Sequence, residues 1–350
     1  MKEFIHLHNH SAYSFGDGIS NIALMVAKAK ELGMTALALT DHGYAHGLLN
    51  FHKECTKQGI KPILGCELYF TQLSRLNHTE EAKKSNHLVL LARNKIGYNN
   101  LIRILTSAAT EGFYYRPRAD FELLEKYNEG LTCLTACVAG PVAVNLWNSG
   151  PDKKGNTFAS VDLGKAEEVL VKLKDIFQEH LYLEVQYHGM EPQGGETLDP
   201  QAQLIQNAFP TSIRTGVDIV VTNDTHYVDE SQWQLRDTMM ADATGMLKND
   251  PTRHIKDNEG QYYLKTADQM RKVFGAYDNK LLDNTIKIAD EVEEYDPGLK
   301  DGHRLPKLKG DSKGLFNKKV LAGFKQKYPG KDEQSDEFQR LQHEIKTIET

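Results

Sequence analysis

The chain has 350 residues, with 42 Lys and Arg against 48 Asp and Glu, a formal net charge of −6. Its 40% hydrophobic and 26% charged residues exclude a disordered or collagen-like chain and allow one large α/β domain with an appendage, or two domains. The acidic balance argues against tight, stand-alone, non-specific DNA binding, so any nucleic-acid role has to be local or shared with a partner.

Met1-Lys2-Glu3 leads straight into a strand-like segment without a signal-peptide core, and no run approaches the ~20 apolar residues of a membrane span. A cytoplasmic location with no membrane partner is therefore expected. Short apolar runs then alternate with helix-period segments for roughly the first 230 residues, the pattern of βαβ units around a sheet. Strands are predicted at Phe4 to His8, Thr35 to Thr40, Pro62 to Phe70, His87 to Ala92, Leu131 to Thr135, Tyr182 to Gln186 and Ile219 to Asn223. The first helix carries Ile22, Met25, Val26, Ala29 and Leu32 at helical spacing and stops at Gly33. Residues 71 to 86 and 148 to 160 are polar and read as surface loops.

Beyond about residue 245 the strands stop, and Lys265 to Phe274 and Asn279 to Glu294 read as helices. Residues 297 to 336 have a linker-like composition, and the chain then stops inside the helix-like stretch Glu337 to Glu349 without a stop signal, as a seam within a larger protein would. The expected organisation is a barrel over 1–245, a helical extension over 246–296, and a linker with the start of a helix over 297–350.

Histidine carries the functional signal. His8-Asn9-His10 followed by Asp17 can present alternate side chains to one metal, although a lone H-x-H is as often a structural pair. Asp41-His42-Gly43 sits on the turn after a predicted strand. Glu67 interrupts the apolar run Ile63-Leu64-Gly65-Cys66, where a carboxylate has to be paired, protonated or metal-bound. Cys137 is one of four cysteines, with Cys55, Cys66 and Cys133, too few in this length for a disulfide framework, so reduced thiols or a metal ligand are expected. Asp224-Thr225-His226 repeats the alternate-residue pattern after the last strand.

His8, Asp41-His42, Cys137 and Asp224-His226 all fall at or just after strand ends, where an α/β barrel assembles its site. His87 conflicts, since it begins its strand. A long hairpin between residues 62 to 70 and 87 to 92 removes the conflict by bringing Glu67 and His87 to one end. A distorted barrel with an irregular third-to-fourth strand connection is the expectation.

Taken together, His8-x-His10 with Asp17, Asp41-His42-Gly43, Gly65-x-Glu67, His87, Cys137 and Asp224-x-His226 resemble a PHP (polymerase and histidinol phosphatase) domain over residues 4 to 228. His6-Leu7-His8-Asn9-His10-Ser11-x-Tyr13-Ser14, Lys61-Pro62-Ile63-Leu64-Gly65-x-Glu67, Gly97-Tyr98-x-Asn100-Leu101, Thr222-Asn223-Asp224 and Tyr262-Tyr263-Leu264-Lys265 are similar to the N-terminal part of bacterial DNA polymerase III alpha subunits.

The resemblance implies a distorted (βα)7 barrel with a helical C-terminal extension and a centre of three divalent ions, zinc or manganese or both. One ion would take His8, His10, Glu67 and Asp224, a second Glu67, His87 and Cys137, and a third Asp17, His42 and His226. It also implies a metal-activated water as nucleophile and 3′–5′ exonuclease action on a DNA primer 3′ end, beside the rest of the alpha subunit and its replisome partners. No polymerisation is expected from this chain alone, because the resemblance ends before the family's palm carboxylates. A stand-alone phosphatase of the histidinol-phosphate type and a non-catalytic, metal-binding scaffold of the polymerase are the alternatives. For the substrate, Tyr114-Tyr115-Arg116-Pro117-Arg118 offers aromatics and the guanidinium groups of Arg116 and Arg118 to a backbone or base, although a solvated loop accounts for it equally. His188, just after a strand, could border the site.

Overall fold

In a computed structural model, residues 3–147, 161–189, 199–250, 252–253, 256–257, 260–275, 277–298 and 309–349 are described. The predicted loop at 148–160 lies outside them. The described residues form eight strands: β1 (Ala36–Leu39), β2 (Lys61–Phe70), β3 (Asn86–Ala92), β4 (Phe113–Tyr114), β5 (Arg116–Ala119), β6 (Leu131–Leu134), β7 (Leu181–Val185) and β8 (Ile219–Val221). They are joined or covered by α1 (Ile22–Glu31), α2 (Leu48–Gln58), α3 (Lys95–Thr110), α4 (Phe121–Tyr127), α5 (Leu163–Phe177), α6 (Pro200–Thr215), α7 (Trp233–Ala243), α8 (Ala267–Phe274) and α9 (Lys280–Asp290). The local signals act as expected in α1, where Asn21 Oδ1 accepts from Ala23 and Leu24 N–H and Gly33 takes φ +76° to leave the helix.

The sheet is curled and mixed, with strand order β4-β5-β2-β3-β6-β7-β8 and β1 beside the first half of β2. The strands and their helices make a distorted barrel. β2 and β3 are antiparallel with Tyr69 opposite His87, so the expected long hairpin is present and Glu67 and His87 lie near the same end.

Phe4 to His8, predicted as the first strand, does not form a regular ladder. It runs between β1 and the end of β8 through Ala38 N–H to His6 O (3.0 Å), Thr40 N–H to Asn9 O (2.9 Å), His10 N–H to Thr225 O (2.7 Å) and Thr225 N–H to His8 O (3.1 Å). The Asn9 side-chain amide supplies further donors to His6 O (2.9 Å) and Ala38 O (3.0 Å). The segment thus closes the gap between first and last strands while leaving the backbone irregular at the histidines.

Period-two alternation splits the barrel interior into two levels. Ile63 of β2, Val89 and Leu91 of β3, Tyr182 of β7 and Val220 of β8 form an apolar lower layer with Ile5, Leu7, Ala36 and Ala38. Two residues further toward the open end, or four along β2, the same faces carry Glu67, His87, Glu184 and Thr222. Ile288 and Ala289 of α9, with Val292 just beyond it, complete the lower layer and plug it. Lys61 Nζ donates to Ala289 O (2.7 Å) and Asn284 Nδ2 to Ile219 O (2.7 Å), tying the plug to the strands. The expected extension is therefore integral to the barrel, and the compact units are Met1–Pro297 and Gly298–Thr350.

The second unit holds α10 (Ser312–Lys327) and α11 (Asp336–Glu349). α10 corrects the linker reading of 297 to 336: Asp311 caps it by accepting from Gly314 N–H (2.8 Å), a local signal hidden by the Lys- and Gly-rich composition. No described helix is long and apolar enough to cross a membrane.

Candidate metal centre

The open end of the barrel gathers His8, His10, Asp17, His42, Glu67, His87, Cys137, Asp224 and His226. Glu67 lies at the centre. Its Oε1 is 2.8 Å from His87 Nδ1 and 3.5 Å from His8 Nε2, and its Oε2 is 2.6 Å from His42 Nδ1 and 3.4 Å from His10 Nε2. Asp224 Oδ1 approaches His8 Nε2 (3.3 Å) and His10 Nε2 (3.1 Å), and Asp17 Oδ2 approaches His42 Nε2 (3.2 Å) and His226 Nε2 (3.3 Å). Cys137 Sγ is 3.8 Å from His87 Nδ1. Three overlapping triads have metal-binding spacing: His8, His10 and Glu67; His42, Glu67 and His87; His10, His42 and His226.

Seven donor atoms here are buried without a hydrogen-bond partner: His8 Nε2, His10 Nε2, Asp17 Oδ1, His42 Nδ1, both Glu67 oxygens and Asp224 Oδ1. The 2.6 Å approach of His42 to Glu67 lacks hydrogen-bond geometry, so both atoms remain unsatisfied. Buried lone pairs left this way are costly unless cations take them up. Imidazole, carboxylate and one thiol suit divalent transition metals, so the residues fit such a group.

Residues 6–188 match the PHP domain family. The chain belongs to that family. It is 37% identical over 289 residues to the DNA polymerase III subunit alpha of Treponema pallidum, covering 82% of this chain and 23% of that protein. The same-named subunit of Borreliella burgdorferi is 36% identical over 297 residues, covering 84% and 24%. The chain thus spans about a quarter of the length of these relatives. Among solved structures, a Bacteroides vulgatus two-domain protein containing a predicted PHP-like metal-dependent phosphoesterase aligns with a TM-score of 0.35 and 14% identity, covering 64% of this chain and 52% of that one.

Groups around the PHP centre orient its histidines. Glu184, wholly buried on β7, accepts from His8 Nδ1–H (2.7 Å), Gln186 Nε2 (3.1 Å) and Thr222 Oγ1 (2.5 Å) through the same oxygen. That contact fixes the orientation of the His8 ring, with Nδ1 on Glu184 and Nε2 facing Glu67 and Asp224. Ser14 Oγ accepts from His10 Nδ1–H (2.9 Å) and donates to Asp41 (2.7 Å), so the Asp of Asp41-His42 anchors the loop and is not itself among the approaching ligands. His226 Nδ1–H donates to Asp224 O (2.7 Å). Sequence reading missed Glu184, although a carboxylate inside Tyr182-Leu183-Glu184-Val185 carries the signal that singled out Glu67.

Backbone strain marks the same place. Among described non-glycine residues Ala136, next to Cys137, and Asp224 both take positive φ, +63° and +47°. The chain after β8 holds the Asp224 loop: Asn223 Nδ2 donates to Gln261 O (3.0 Å) and Tyr263 O (2.7 Å), and Arg236 Nε donates to Asp17 O (3.2 Å). His6, third of the N-terminal histidines, is outside the centre, with Nε2 2.9 Å from Lys265 O and a pKa pushed down to about 4 by burial.

Electrostatically the centre is an interlocked set of acids and imidazoles. Burial opposes charge on His42, but Glu67 and Asp17 outweigh it and raise its pKa to about 10. His8 is likewise raised well above the ordinary range, burial being overcome by Glu184, Asp224 and Glu67. His10 is pushed down to about 3 by burial and then by His42 and His226. Burial, with Glu67 and Asp224 nearby, holds the Cys137 thiol well above its usual value.

Any metal taken up here would have to compete with protons for these imidazoles and for the Cys137 thiol. Metal affinity is expected to rise with pH between about 6 and 9. Calorimetric zinc titrations in buffers of different ionisation enthalpy should show proton release, with about one proton fewer for Cys137→Ser. Equal release by both proteins would remove Cys137 from the ligand set.

Of the expected substrate contacts, Arg116 is exposed at the rim, while Arg118 is wholly buried. Arg118 donates to Gly112 O (3.1 Å), Ala82 O (2.7 Å) and Arg75 O (2.7 Å), which makes it a brace for the 71–85 loop and corrects its reading as a DNA contact. His188 is also turned inward. Its Nε2 is 2.8 Å from Asn223 O, its Nδ1 accepts from Gln201 Nε2 (2.8 Å), and its ring stacks on Tyr262 at 3.9 Å, so it supports the Asp224 loop.

Proposed function

We propose that this chain is the PHP domain of a bacterial-type replicative polymerase III alpha subunit and carries a metal-dependent 3′–5′ exonuclease acting on a primer 3′ end. One observation carries the reading: every one of the nine donor positions holds a competent side chain, and seven unpartnered buried atoms from six of them converge at the open end of the barrel. A scaffold that has lost its metals has no use for seven unsatisfied buried donors, whereas a metal-binding scaffold is separated from this reading by activity.

Three divalent ions, zinc or manganese or both, are assigned to His8, His10, Glu67 and Asp224, to Glu67, His87 and Cys137, and to Asp17, His42 and His226. Such a cluster, when bound, lowers the pKa of water and neutralises charge on phosphoryl oxygens. The chain's own part is to hold that chemistry in place. Glu67 joins the groups, Glu184 and Ser14 fix the imidazole tautomers, and the lower apolar layer closes the far end to water. No side chain of the set serves as nucleophile. The remaining assignments follow the same reading: residues 1–245 as the catalytic barrel, 246–296 as its plug, 297–350 as the path to a palm, other replisome subunits as partners, and the cytoplasm as location.

Metal-replete protein is expected to shorten a 3′-mismatched primer on its template slowly, with inhibition by chelator and by salt. Asp224→Asn should abolish the reaction with little change in circular dichroism. Rapid cleavage of histidinol phosphate beside intact DNA ends would replace this reading with the stand-alone phosphatase, and nuclease rates equal in wild type and Asp224→Asn would restore the scaffold.

A further inference from the structure

The β4–β5 hairpin turns through a single residue. Tyr114 pairs with Arg116, and Tyr115 between them has φ +61°, a conformation that bulky side chains rarely adopt and that persists only where the fold enforces it. The turn presents the Tyr115 ring to solvent at 64% exposure, with Phe113 at 54% beside it. Lys83 Nζ lies 5.0 Å from the Tyr115 ring centroid, and Tyr114 meets that ring edge-on at 4.9 Å while stacking on His78. The ring is therefore held in position and still accessible.

Arg116 links this tip to the metal centre. Its guanidinium lies 5.0 Å from the Tyr69 ring centroid and its Nη1 donates to Tyr69 Oη (3.3 Å). Tyr69 in turn packs against His42 (6.2 Å) and His87 (5.7 Å). Gly43, with φ +65°, makes that wall possible, since a Cβ there would sit 2.7 Å from the Tyr69 ring. Arg75, Arg236 and Arg253 are each paired with carboxylates, whereas Arg116 has no carboxylate partner among the described residues. Its remaining donors face solvent beside the centre.

An oriented guanidinium next to an accessible aromatic ring is the pairing that single-stranded nucleic acid requires: phosphate on the cation and a base on the ring. We propose that the hairpin tip is a single-strand subsite of this centre, with Arg116 holding a backbone phosphate and Tyr115 stacking on the adjoining base. The proposal deepens the exonuclease reading and rests on it for the identity of the strand as DNA. It also explains how a chain of net charge −6 can hold a polyanion: attraction is concentrated at one guanidinium and supplemented by stacking, which needs no charge.

The test is binding of a fluorescent single-stranded oligodeoxynucleotide of about 12 nucleotides to the full chain at low salt, by anisotropy. Tyr115→Ala is expected to weaken binding about 5-fold or more, Tyr115→Phe to retain it, and a strand with abasic residues at its 3′ end to bind wild type and Tyr115→Ala alike. Arg116→Gln should weaken both strands and lower the salt slope by about one. Unchanged zinc content in each variant shows that the centre is intact. Wild-type affinity in both Tyr115→Ala and Arg116→Gln would overturn the subsite. Strand binding through Tyr115 without nucleotide release would overturn the exonuclease reading and leave the subsite standing. Release at equal rates by wild type and both variants would do the reverse.

Discussion

Replacing Glu67 with glutamine is expected to strip the centre of most of its bound metal and reduce phosphodiester hydrolysis to background. The substitution keeps the shape but exchanges an anionic oxygen for an NH2 donor among four imidazoles that need an acceptor or a shared cation. Both oxygens of Glu67 are committed, one toward His8 and His87 and the other toward His10 and His42. Burial alone would raise the Glu67 pKa, but His87, His42 and His8 outweigh it and keep the carboxylate ionised well below its usual range. The position therefore demands negative charge, which glutamine lacks. Elemental analysis should show several ions per chain in wild type and at most one in Glu67→Gln. Chelator should lower the melting temperature of the former by clearly more than that of the latter. Full metal content in Glu67→Gln would refute its bridging role.

The second large effect belongs to Glu184, which lies outside the ligand set. Glu184→Gln is expected to lower metal affinity about 10- to 100-fold, measured by competition with a chromogenic chelator. The variant loses the charge that makes His8 a stronger base and frees the ring to rotate or change tautomer. A pH series separates this from general loosening of the fold. Glu184 helps to raise the His8 pKa, so its removal weakens proton competition for that imidazole, and the affinity deficit should shrink as pH falls from about 8 to about 6. A deficit constant across that range would mean that Glu184 only supports the packing of β7.

Much of this was legible in the residues themselves. Donor chemistry is a property of side-chain type, and period-two alternation places Glu67 on the same face as Ile63 whatever the rest of the chain does. The position of His87 at the start of its strand was enough to require an antiparallel hairpin, because a parallel strand would have carried it to the wrong end.

Alternation did not account for His8 and His10. The backbone bends at His8, and the two rings converge because the Asn9 side chain from within the segment and Thr225 from the end of β8 fix its irregular course. The same limit explains Arg116 and Arg118. Two residues apart on one strand, they are equivalent in sequence, yet the carbonyls of Ala82 and Arg75 that bury Arg118 come from a loop about forty residues away. Glu184 carried a readable local signal, but its partner His8 is 176 positions distant. Asn279 to Glu294 reads in sequence as a helix of a C-terminal extension, and only the lower end of the barrel makes α9 a plug.

By itself the sequence determined which side chains can bind metal, where most of the barrel's longer strands and helices lie, and which strand faces are apolar, since each depends on residue type and near-neighbour spacing; it did not show the irregular course of Phe4 to His8, the short β4–β5 hairpin or α10. The tertiary structure decided which donors meet, which tautomers they hold, which arginine stays in solvent and what closes the barrel, because those depend on hydrogen bonds and packing between segments whose separation along the chain carries no local trace.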